Sequence, residues 1–392
     1  MSDDIHGGKI REAATALGIP GDELLDFSAN VNFLGPSPRV VAAARRAVGE
    51  MGWYPLDPPD PLRRAAAGFL GVPQERVALG NGASELIFLT VAHLRPRRVV
   101  VLGPTFTEYE RAARAWGAEV DLVFAPEERD FAFSEEHIEA LAPRLAAADL
   151  VFICDPNNPT GDLWDRRARD TLISICARAG TAVFVDESFL AFTEVWPGGA
   201  VLRRSVSSSE GSSEQVIVLH SLTKILTMPG LRVGALVLPE ALADGFLPRV
   251  PPWNVNCIAQ AAAVAGLEDV ELLERTPPAV TEARIAAIAR LRGIPGVARV
   301  LPAAANFLCL RLAAPGAREV AGRLRQQHGI LVRDLTDFPG MGARFLRVAV
   351  REPADNDRLI KALAEVLAGI AADAFAGASV ATDCSLGIGA AS

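Results

Sequence analysis

The sequence lacks the patterns that mark disulfide-linked and metal-binding proteins. Its five cysteines are scattered without a C-x-x-C pair, and its five histidines form no H-x-x-x-H or H-E-x-x-H pattern. We therefore expect no metal site, and we expect the cysteines to be free thiols in a reducing cytoplasm. The cysteines are Cys154, Cys176, Cys257, Cys309 and Cys384.

Long apolar runs and an excess of positive charge are also missing. No run reaches the roughly 18 apolar residues of a membrane-spanning helix, and the stretch from Met1 to Arg11 has no apolar core of a secretion signal. The formal net charge of the 392 residues is −8, which argues against binding to nucleic acid or to an anionic membrane surface. We expect neither as a partner.

Short apolar runs alternate with amphipathic stretches through the first two thirds of the chain. The runs are rich in Val, Ile and Leu and lack polar alternation, which is typical of strands buried on both faces of a sheet. An α/β fold with a mostly parallel sheet covered by helices is therefore predicted. The runs extend from Arg98 to Leu102, Val151 to Cys154, Ala182 to Val185, Val216 to Leu219 and Val233 to Leu238.

The pattern changes after about Pro252, and a smaller α+β domain is predicted there. We divide the chain into an N-terminal arm (1–38), a large domain (39–252), a small C-terminal domain (253–370) and a flexible tail (371–392). The predicted helices of the small domain run from Asn256 to Glu274, from Val280 to Arg292 and from Asn356 to about Ile370. Its predicted strands run from Phe307 to Arg311 and from Phe345 to Val350.

Three polar residues follow buried runs, at the strand ends where open α/β sheets bind their ligands. Lys224 follows one run, and a deprotonated lysine amine can form an imine with an aldehyde cofactor. Asp186 ends another, and its carboxylate can keep a pyridine nitrogen protonated. Asn158, in the stretch D-P-N-N-P-T-G, can donate to a phenolate oxygen. Each alone has an ordinary alternative, namely a surface lysine, a helix-capping aspartate and a plain turn.

A glycine turn, Gly80 to Glu85, precedes a predicted apolar helix. Such a turn cradles a phosphate through free backbone N–H groups. Glu85 fills the last position of a G-x-G-x-x-G pattern, and the Lys-Ser/Thr of a P-loop is missing, so a nucleotide site or a dinucleotide-dependent dehydrogenase is disfavoured. Arg232 and Ser221 lie close to Lys224 in the sequence and can contact the same phosphate.

Together these motifs resemble the fold-type I pyridoxal 5'-phosphate (PLP) enzymes, the aspartate aminotransferase superfamily, and within it the histidinol-phosphate aminotransferase group. The resemblance extends from about residue 6 to residue 370. It implies a seven-stranded, mostly parallel sheet in the large domain and a smaller α+β domain. It also implies that Lys224 holds PLP as a Schiff base, that Asp186 contacts the pyridinium nitrogen and that Asn158 contacts the ring O3'.

The resemblance implies further contacts with the cofactor. Phe106, in Pro-Thr-Phe, matches the aromatic residue that stacks on the ring. Tyr54, in Tyr-Pro, matches a residue that reaches the phosphate of the neighbouring subunit's cofactor, which implies a homodimer with shared active sites. The residues implied to hold the phosphate are Gly82, Ala83, Ser84, Ser221 and Arg232.

Three stretches are similar to the threonine-phosphate decarboxylases of cobalamin biosynthesis. These stretches are His6 to Glu12 with Asp26 to Asn32, Pro252 to Asn256, and Gly329 to Asp334 with Phe338 to Gly340 and Phe345 to Arg351. The likeness implies decarboxylation of L-threonine O-3-phosphate to (R)-1-aminopropan-2-yl phosphate. The residues implied to bind the substrate's phosphate and carboxylate are His6, Gly7, Asn32, Asn158, Arg333 and Arg347.

Alternatives remain open at this point. One is a class I/II aminotransferase acting on histidinol phosphate, and another is a decarboxylase of a different phospho- or phosphono-amino acid. A catalytically silent PLP-fold binding protein is disfavoured, because the lysine, the aspartate and the asparagine are all present. Phe189 stands where aminotransferases of the superfamily usually have Tyr, which favours decarboxylation. Lys9 and Leu56 depart from the patterns of the related enzymes.

Overall fold

A computed structural model describes residues 7–201 and 215–383, with side chains as far as residue 374. The strands, numbered along the chain, are β1 (Leu25–Asp26), β2 (Val77–Gly80), β3 (Arg98–Gly103), β4 (Glu119–Phe124), β5 (Leu150–Cys154), β6 (Ala182–Asp186), β7 (Val216–His220), β8 (Gly234–Val237), β9 (Val297–Val300), β10 (Phe307–Leu312), β11 (Ile330–Leu331), β12 (Arg333–Asp334) and β13 (Phe345–Ala349). The helices are α1 (Ile10–Leu17), α2 (Pro38–Val48), α3 (Asp60–Leu70), α4 (Ala83–Leu94), α5 (Glu108–Ala115), α6 (Glu135–Ala140), α7 (Ala142–Ala146), α8 (Arg166–Ala179), α9 (Leu222–Ile225), α10 (Glu240–Phe246), α11 (Cys257–Leu267), α12 (Val270–Leu291), α13 (Ala317–His328) and α14 (Pro353–Asp383).

The large sheet has seven strands in the order β2-β8-β7-β6-β5-β3-β4. Strand β8 is antiparallel to both of its neighbours, and the other pairs are parallel. Every residue of β5, β6 and β7 is buried, because helices cover both faces of the sheet. The predicted mostly parallel sheet is confirmed, and each of the five predicted runs forms a strand.

The two edge strands, β2 and β4, were not predicted from the sequence. Strand β4 alternates charged and apolar residues and is mostly half-exposed, as an edge strand is. Strand β2 has only four residues, which is too short to stand out from its surroundings.

Local signals set where helices begin and end. Helix α2 begins at Pro38, which needs no N–H partner in the first turn, and the Ser37 hydroxyl accepts a hydrogen bond from the Val40 N–H (3.4 Å). Helix α8 ends at Gly180, whose φ of +75° is the left-handed conformation that glycine adopts without strain.

A second sheet, of four antiparallel strands in the order β12-β13-β10-β9, lies in the C-terminal third of the chain. The two strands predicted there are confirmed as β10 and β13, whereas β9 and β12 were not predicted. A separate hydrophobic cluster packs against this sheet. The division at residues 38, 252 and 370 stays a prediction.

The N-terminal segment is tied to the C-terminal part of the chain. Strand β1 pairs in parallel with β11, and the Phe27 N–H donates to the Leu331 carbonyl (2.8 Å) while the Phe27 carbonyl accepts from the Ala349 N–H (2.8 Å). These bonds bring Ser28 next to strand β13, which carries Arg347.

The helices of the C-terminal part differ from the prediction. The predicted helix from Asn256 to Glu274 is broken at Asp269, whose carboxylate accepts from the Leu272 N–H and starts helix α12. Helix α12 then continues through Pro277 and Pro278 as a single helix of 22 residues, although prolines usually mark a break.

The last helix is longer than predicted. We expected it to end near Ile370 and to be followed by a flexible tail, but α14 continues to Asp383. Its last stretch is rich in alanine, the strongest helix former. Residues 384–392 lie outside the described part of the chain, so the rest of the predicted tail stays a prediction.

Within residues 7–201 and 215–383, none of the helices combines the length and apolar character needed to cross a bilayer. Among the same residues, no three His, Cys, Asp or Glu side chains are grouped so as to hold a metal ion. The described cysteines are free thiols, namely Cys154, Cys176, Cys257 and Cys309.

Candidate active site

The ends of β5, β6 and β7 meet at one edge of the large sheet. In the strand register, Cys154 lies beside Asp186, and Asp186 lies beside Leu219. Helix α9 follows β7 directly and carries Lys224. The fold therefore brings Lys224, Asp186 and the turn that contains Asn158 to one place, as parallel strands require.

Asp186 is buried and its carboxylate is held by two donors. The Tyr109 hydroxyl donates to Oδ2 (2.6 Å), and the Ser188 N–H donates to Oδ1 (2.9 Å). Burial raises the pKa of Asp186, while the nearby charge of Lys224 lowers it. A buried carboxylate of this kind is stabilised by a cation, and a protonated ring nitrogen is one.

Tyr109 is a site residue that the sequence analysis missed. Its side chain is fully buried, its ring is stacked on that of Phe152 (5.0 Å between centroids), and burial raises its pKa well above the ordinary value. It therefore stays a neutral hydroxyl donor to Asp186. The sequence signal for Tyr109 was its position three residues after Phe106. In the structure the two rings meet edge to face, with 5.6 Å between their centroids.

Lys224 is half-buried among charged groups. Burial lowers its pKa to about 8, and the positive charges of Arg347 and Arg232 act in the same direction, whereas Asp186 and Asp26 oppose them. A substantial fraction of the amine is therefore neutral near physiological pH, the form that attacks an aldehyde.

The predicted phosphate cradle lies at the N-terminus of helix α4. Gly82 has a φ of +85°, and a Cβ atom added to it would overlap the guanidinium of Arg232. A Cβ atom on Gly234 would lie 2.9 Å from the Ala83 backbone nitrogen. The close approach of the backbone to the Arg232 side chain therefore requires glycine at position 82. The N-terminus of α4 adds free N–H groups and a helix dipole that favours an anion.

The other predicted phosphate contacts are in the same region. Ser84 lies in the first turn of α4. Ser221 is buried, its N–H donates to the Ser188 hydroxyl (2.9 Å), and its own hydroxyl is 2.9 Å from that of Thr223. The Ser221 hydroxyl therefore has a fixed position immediately before the helix that carries Lys224.

A carboxylate outside the cradle fixes its shape. Glu85 accepts hydrogen bonds from the Asn81 N–H (2.6 Å) and from the Asn254 amide (2.9 Å). The same Asn254 amide donates to the Leu79 carbonyl (2.9 Å). The glycine turn is thus braced against the segment Pro252 to Asn256 that the sequence analysis singled out.

Two buried arginines are neighbours on adjacent strands of the small sheet. Arg333 on β12 and Arg347 on β13 are directly paired in the strand register, and both side chains are buried. Burial, together with the charge of Arg333, lowers the pKa of Arg347 to about 9. A site built this way favours an anionic ligand, because two neighbouring buried cations repel each other.

Arg347, on the small sheet, bonds both to the turn after β5 and to the N-terminal segment. Its Nη1 donates to Asn158 Oδ1 (2.5 Å) and its Nη2 donates to the Ser28 carbonyl (2.8 Å). Its guanidinium also lies over the Phe307 ring at 5.4 Å. Because Arg347 can only donate, the Asn158 oxygen must face it, and the amide hydrogens of Asn158 point elsewhere.

The start of the described chain packs on the same place. A Cβ atom on Gly7 would overlap the Ser28 carbonyl, and the Gly8 N–H donates to the Ser28 hydroxyl (2.9 Å). That hydroxyl in turn donates to Asp26 (2.6 Å). Gly7 therefore lies beside a carbonyl that also accepts from Arg347. His6 lies outside the described residues.

Asn32 is also buried here, but its side chain is engaged. Its amide nitrogen donates to the Ile225 carbonyl (3.1 Å) and to the Thr276 hydroxyl (2.9 Å). No amide hydrogen is left for the substrate contact predicted for Asn32. Asn30, two residues earlier, is buried with no partner for Oδ1 among the described residues, which the sequence analysis did not anticipate.

Tyr54 lies apart from these residues, on the surface. It is 80% exposed, and its ring lies 4.6 Å from that of Trp253, which is itself 48% exposed. Within one chain, Tyr54 is thus not brought to the Lys224 site. Phe106 is half-buried and lies next to Tyr109, close to Asp186.

Comparison with known proteins shows the family to which the chain belongs. The family Aminotransferase class I and II matches residues 22–363. The threonine-phosphate decarboxylase of Salmonella typhimurium is 36% identical over 367 residues, which cover 93% of this chain and 97% of that protein. The histidinol-phosphate aminotransferase of Methanosarcina mazei is 31% identical over 362 residues, which cover 91% of this chain and 92% of that protein.

A solved structure shows the same fold. The histidinol-phosphate aminotransferase from Clostridium acetobutylicum superposes with a TM-score of 0.79 at 26% sequence identity, covering 88% of this chain and 100% of that one. The resemblance inferred from the sequence is confirmed.

Enzymes of this family use PLP, and the residues described above fit it. The cradle of Gly82 and Arg232 suits a phosphate, the buried Asp186 suits a protonated ring nitrogen, and Lys224 has an amine of lowered pKa. The chain belongs to the aminotransferase class I and II family and is a PLP-dependent enzyme.

Proposed function

We propose that this enzyme decarboxylates a phosphorylated amino acid, L-threonine O-3-phosphate, to (R)-1-aminopropan-2-yl phosphate, as part of cobalamin biosynthesis. The observation that carries the proposal is the pair of buried arginines, Arg333 and Arg347, which are neighbours in the strand register, with the charge of Arg347 acting on Lys224. The 36% identity to the Salmonella typhimurium threonine-phosphate decarboxylase over nearly the whole chain supports it.

The charges around Lys224 call for an anionic substrate. Arg347 and Arg232 act on Lys224, with Asp186 and Asp26 as the opposing charges, and Arg333 acts on Arg347. When PLP is bound, its phosphate would pair with Arg232, which leaves Arg333 and Arg347 for the substrate. A carboxylate and a second phosphate on the substrate supply the negative charge that the other two arginines favour, and guanidinium groups bind both in a bidentate manner.

We assign the substrate carboxylate to Arg347 and the substrate phosphate to the region of Arg333, Gly7 and His6. Arg347 contacts Asn158, the predicted partner of the ring oxygen, so a carboxylate on Arg347 lies close to the reacting centre. Gly7 packs directly against the Ser28 carbonyl, where a side chain would overlap, and so lies beside the carbonyl that also accepts from Arg347.

When bound, PLP supplies an electron sink into which the electrons of a broken Cα bond pass. Asp186 keeps the ring nitrogen protonated, and Tyr109 and Ser188 hold the carboxylate in place for this. Arg347, held by Asn158 and the Ser28 carbonyl, would bind the substrate carboxylate and fix its orientation at the cofactor site. CO₂ leaves, and Lys224 Nζ delivers a proton to Cα in its place.

Phe189 supports decarboxylation over transamination. Its side chain is buried, meets the Phe307 ring edge to face (4.9 Å) and carries no hydroxyl. A tyrosine at this position would add a donor to the ring oxygen. Phe307 also lies under Arg347, so Phe189 belongs to the packing that fixes the carboxylate-binding arginine.

We also propose that the enzyme is a homodimer with shared active sites, located in the cytoplasm. The rings of Trp253 and Tyr54 lie 4.6 Å apart at the surface, tilted by 32°, and both side chains are exposed. Met51, Trp53 and Leu56, close to Tyr54 in the chain, are also exposed, and exposed large apolar side chains grouped in this way are typical of a protein interface. A reducing compartment fits the free thiols.

The test is to incubate the PLP-loaded enzyme with threonine phosphate, serine phosphate and histidinol phosphate. We expect CO₂ and aminopropyl phosphate from threonine phosphate, with no dependence on a keto acid, and no product from the K224A variant. Turnover of histidinol phosphate that requires a keto acid, with no CO₂ from any substrate, would overturn the proposal in favour of an aminotransferase.

A further inference from the structure

Asn32 makes its hydrogen bonds to the turn that carries Lys224. Its backbone N–H donates to the Lys224 carbonyl (3.0 Å), and its side-chain amide donates to the Ile225 carbonyl (3.1 Å). Its own carbonyl accepts from the Thr227 hydroxyl (2.9 Å). Asn32 is only 1% exposed, so water does not compete for these bonds.

These bonds matter because helix α9 has only four residues. The last carbonyls of a helix have no partner within the helix. The residues that follow α9 bond three of them, including the Lys224 carbonyl, which accepts from the Thr227 N–H (3.3 Å). Asn32 adds a shorter bond to the Lys224 carbonyl and supplies one to the Ile225 carbonyl, from a segment nearly 200 positions away in the chain. The residue that leaves the turn, Thr227, has a φ of +50°, an unfavourable conformation for a β-branched residue, and its hydroxyl bond to Asn32 helps to hold it there.

The orientation of the Asn32 amide is determined by its partners. The Thr276 hydroxyl donates its proton to the Leu272 carbonyl (2.7 Å), so it can only accept from Asn32 (2.9 Å). On the other side, Asn32 Oδ1 accepts from the Leu34 N–H (3.1 Å). Both amide hydrogens and the oxygen are therefore used, and a carboxylate in place of the amide would put an oxygen against the Ile225 carbonyl.

We propose that Asn32 is a positioning residue for Lys224, and not a substrate contact. It caps the carboxyl end of the lysine turn and ties that turn both to the N-terminal segment and to helix α12. The position of the Lys224 amine relative to Asp186 thus depends on Asn32. This inference rests on the proposed function in one respect, the role of Lys224 as the lysine that binds the cofactor.

The first experiment measures the linkage between Lys224 and the cofactor, without substrate. Apoenzyme is mixed with PLP, the rate of linkage formation is followed by visible absorbance, and borohydride fixation with peptide mass analysis identifies the lysine. For N32A and N32D we expect the rate to fall about tenfold or more, because a misplaced reacting group costs at least that much.

N306A is the matched control. Asn306 is equally buried and its amide donates to the Val31 carbonyl (3.2 Å), next to Asn32 in the chain, but it does not contact the lysine turn. We expect this variant to lose thermal stability and to keep the parent's rate of linkage formation. Equal losses of rate in N306A and N32A would reduce Asn32 to a general structural role and overturn the inference.

A second pair of variants covers the case in which the Asn32 variants do not fold. T276V removes the hydroxyl that accepts from Asn32, and T276S keeps it. We expect slow linkage formation in T276V and recovery of the parent's rate in T276S. A parent-like rate in T276V, when T276V and T276S have the same thermal stability, would contradict the proposal.

Steady-state kinetics distinguish positioning from substrate contact. We expect N32A to lower kcat for threonine phosphate about tenfold with little change in KM, whereas loss of a substrate contact raises KM. A large rise in KM for N32A, with a normal rate of linkage formation, would contradict the inference. If borohydride instead fixes no PLP on Lys224 of the parent enzyme, the proposed function itself fails, so the two failures are distinguishable.

Discussion

Lys224 gives the site its expected dependence on pH. Its pKa is lowered to about 8 by burial and by Arg347 and Arg232, and the neutral amine is the form that attacks the PLP aldehyde. We expect the rate of PLP capture by the apoenzyme to rise with pH and to reach half its maximum near pH 8. An exposed lysine would reach half its maximum at about pH 10.4.

Two variants test the direction in which neighbouring charges shift the pKa of Lys224. Asp186 raises the pKa of Lys224, so D186N is expected to shift the midpoint to lower pH, whereas R347L, which removes a repulsive charge, is expected to shift it to higher pH. The opposite order would contradict this account of the site.

The unfolded chain binds more protons at this lysine between its folded pKa and the ordinary 10.5, so Lys224 makes apoenzyme stability rise with pH in that window.

The two buried arginines are expected to contribute to substrate binding. R333L should lower kcat/KM for threonine phosphate by roughly 10- to 100-fold, since a hydrogen bond to a charged group contributes about 1.5–3 kcal/mol. R318L is the control, because Arg318 lies near β12 but is exposed and pairs with Asp334 and Asp337. Its kinetic constants should not change. A parent-like kcat/KM in R333L would remove Arg333 from the site.

At the scale of elements, the turn before helix α4 has a conformation that only glycine suits. In G82A the new Cβ atom would overlap the Arg232 guanidinium, in addition to the strain at a φ of +85°. We expect PLP retention during gel filtration to be lost and the dissociation constant for PLP to rise at least about tenfold, because the guanidinium must move from the phosphate cradle.

The G180A variant separates backbone strain from overlap with the Arg232 guanidinium. Gly180 has a φ of +75° at the end of α8, and nothing lies within 4 Å of where its Cβ atom would be. This variant should lose stability by about 1 kcal/mol through backbone strain alone while retaining PLP like the parent. If G82A and G180A lose PLP equally, the cradle is not where the phosphate binds.

At the scale of the whole molecule, the exposed position of Tyr54 predicts that a complete site needs two chains. K224A and Y54A subunits are each expected to have low activity, but a hybrid dimer contains one site with both residues intact. Unfolding and refolding an equal mixture should restore about a quarter of the parent activity, because half of the dimers are hybrids with one good site each.

The control mixes K224A with D186N, whose changes lie in the same site of one chain. That mixture should recover nothing, because no site in its hybrids is intact. Recovery in the control mixture, or none in the K224A and Y54A mixture despite a dimer by light scattering, would contradict shared sites.

The sequence by itself determined the parts of this protein that depend on local pattern. Runs such as Val216–His220 are buried on both faces and read as strands, and parallel strands meet at one edge, so Lys224, Asp186 and Asn158 could be placed together in advance. The glycine turn before α4 and the family resemblance followed from the same short stretches.

The tertiary structure alone decided which distant residues meet. The bond between Asn32 and Thr276 joins positions 244 apart, and the pairing of Arg333 with Arg347 depends on a strand of two residues that has no pattern of its own. A local pattern records whether a side chain is buried, but a hydrogen-bond partner is chosen by packing across the whole fold. That is why Asn32 looked like a substrate ligand in the sequence and lies against the lysine turn in the structure.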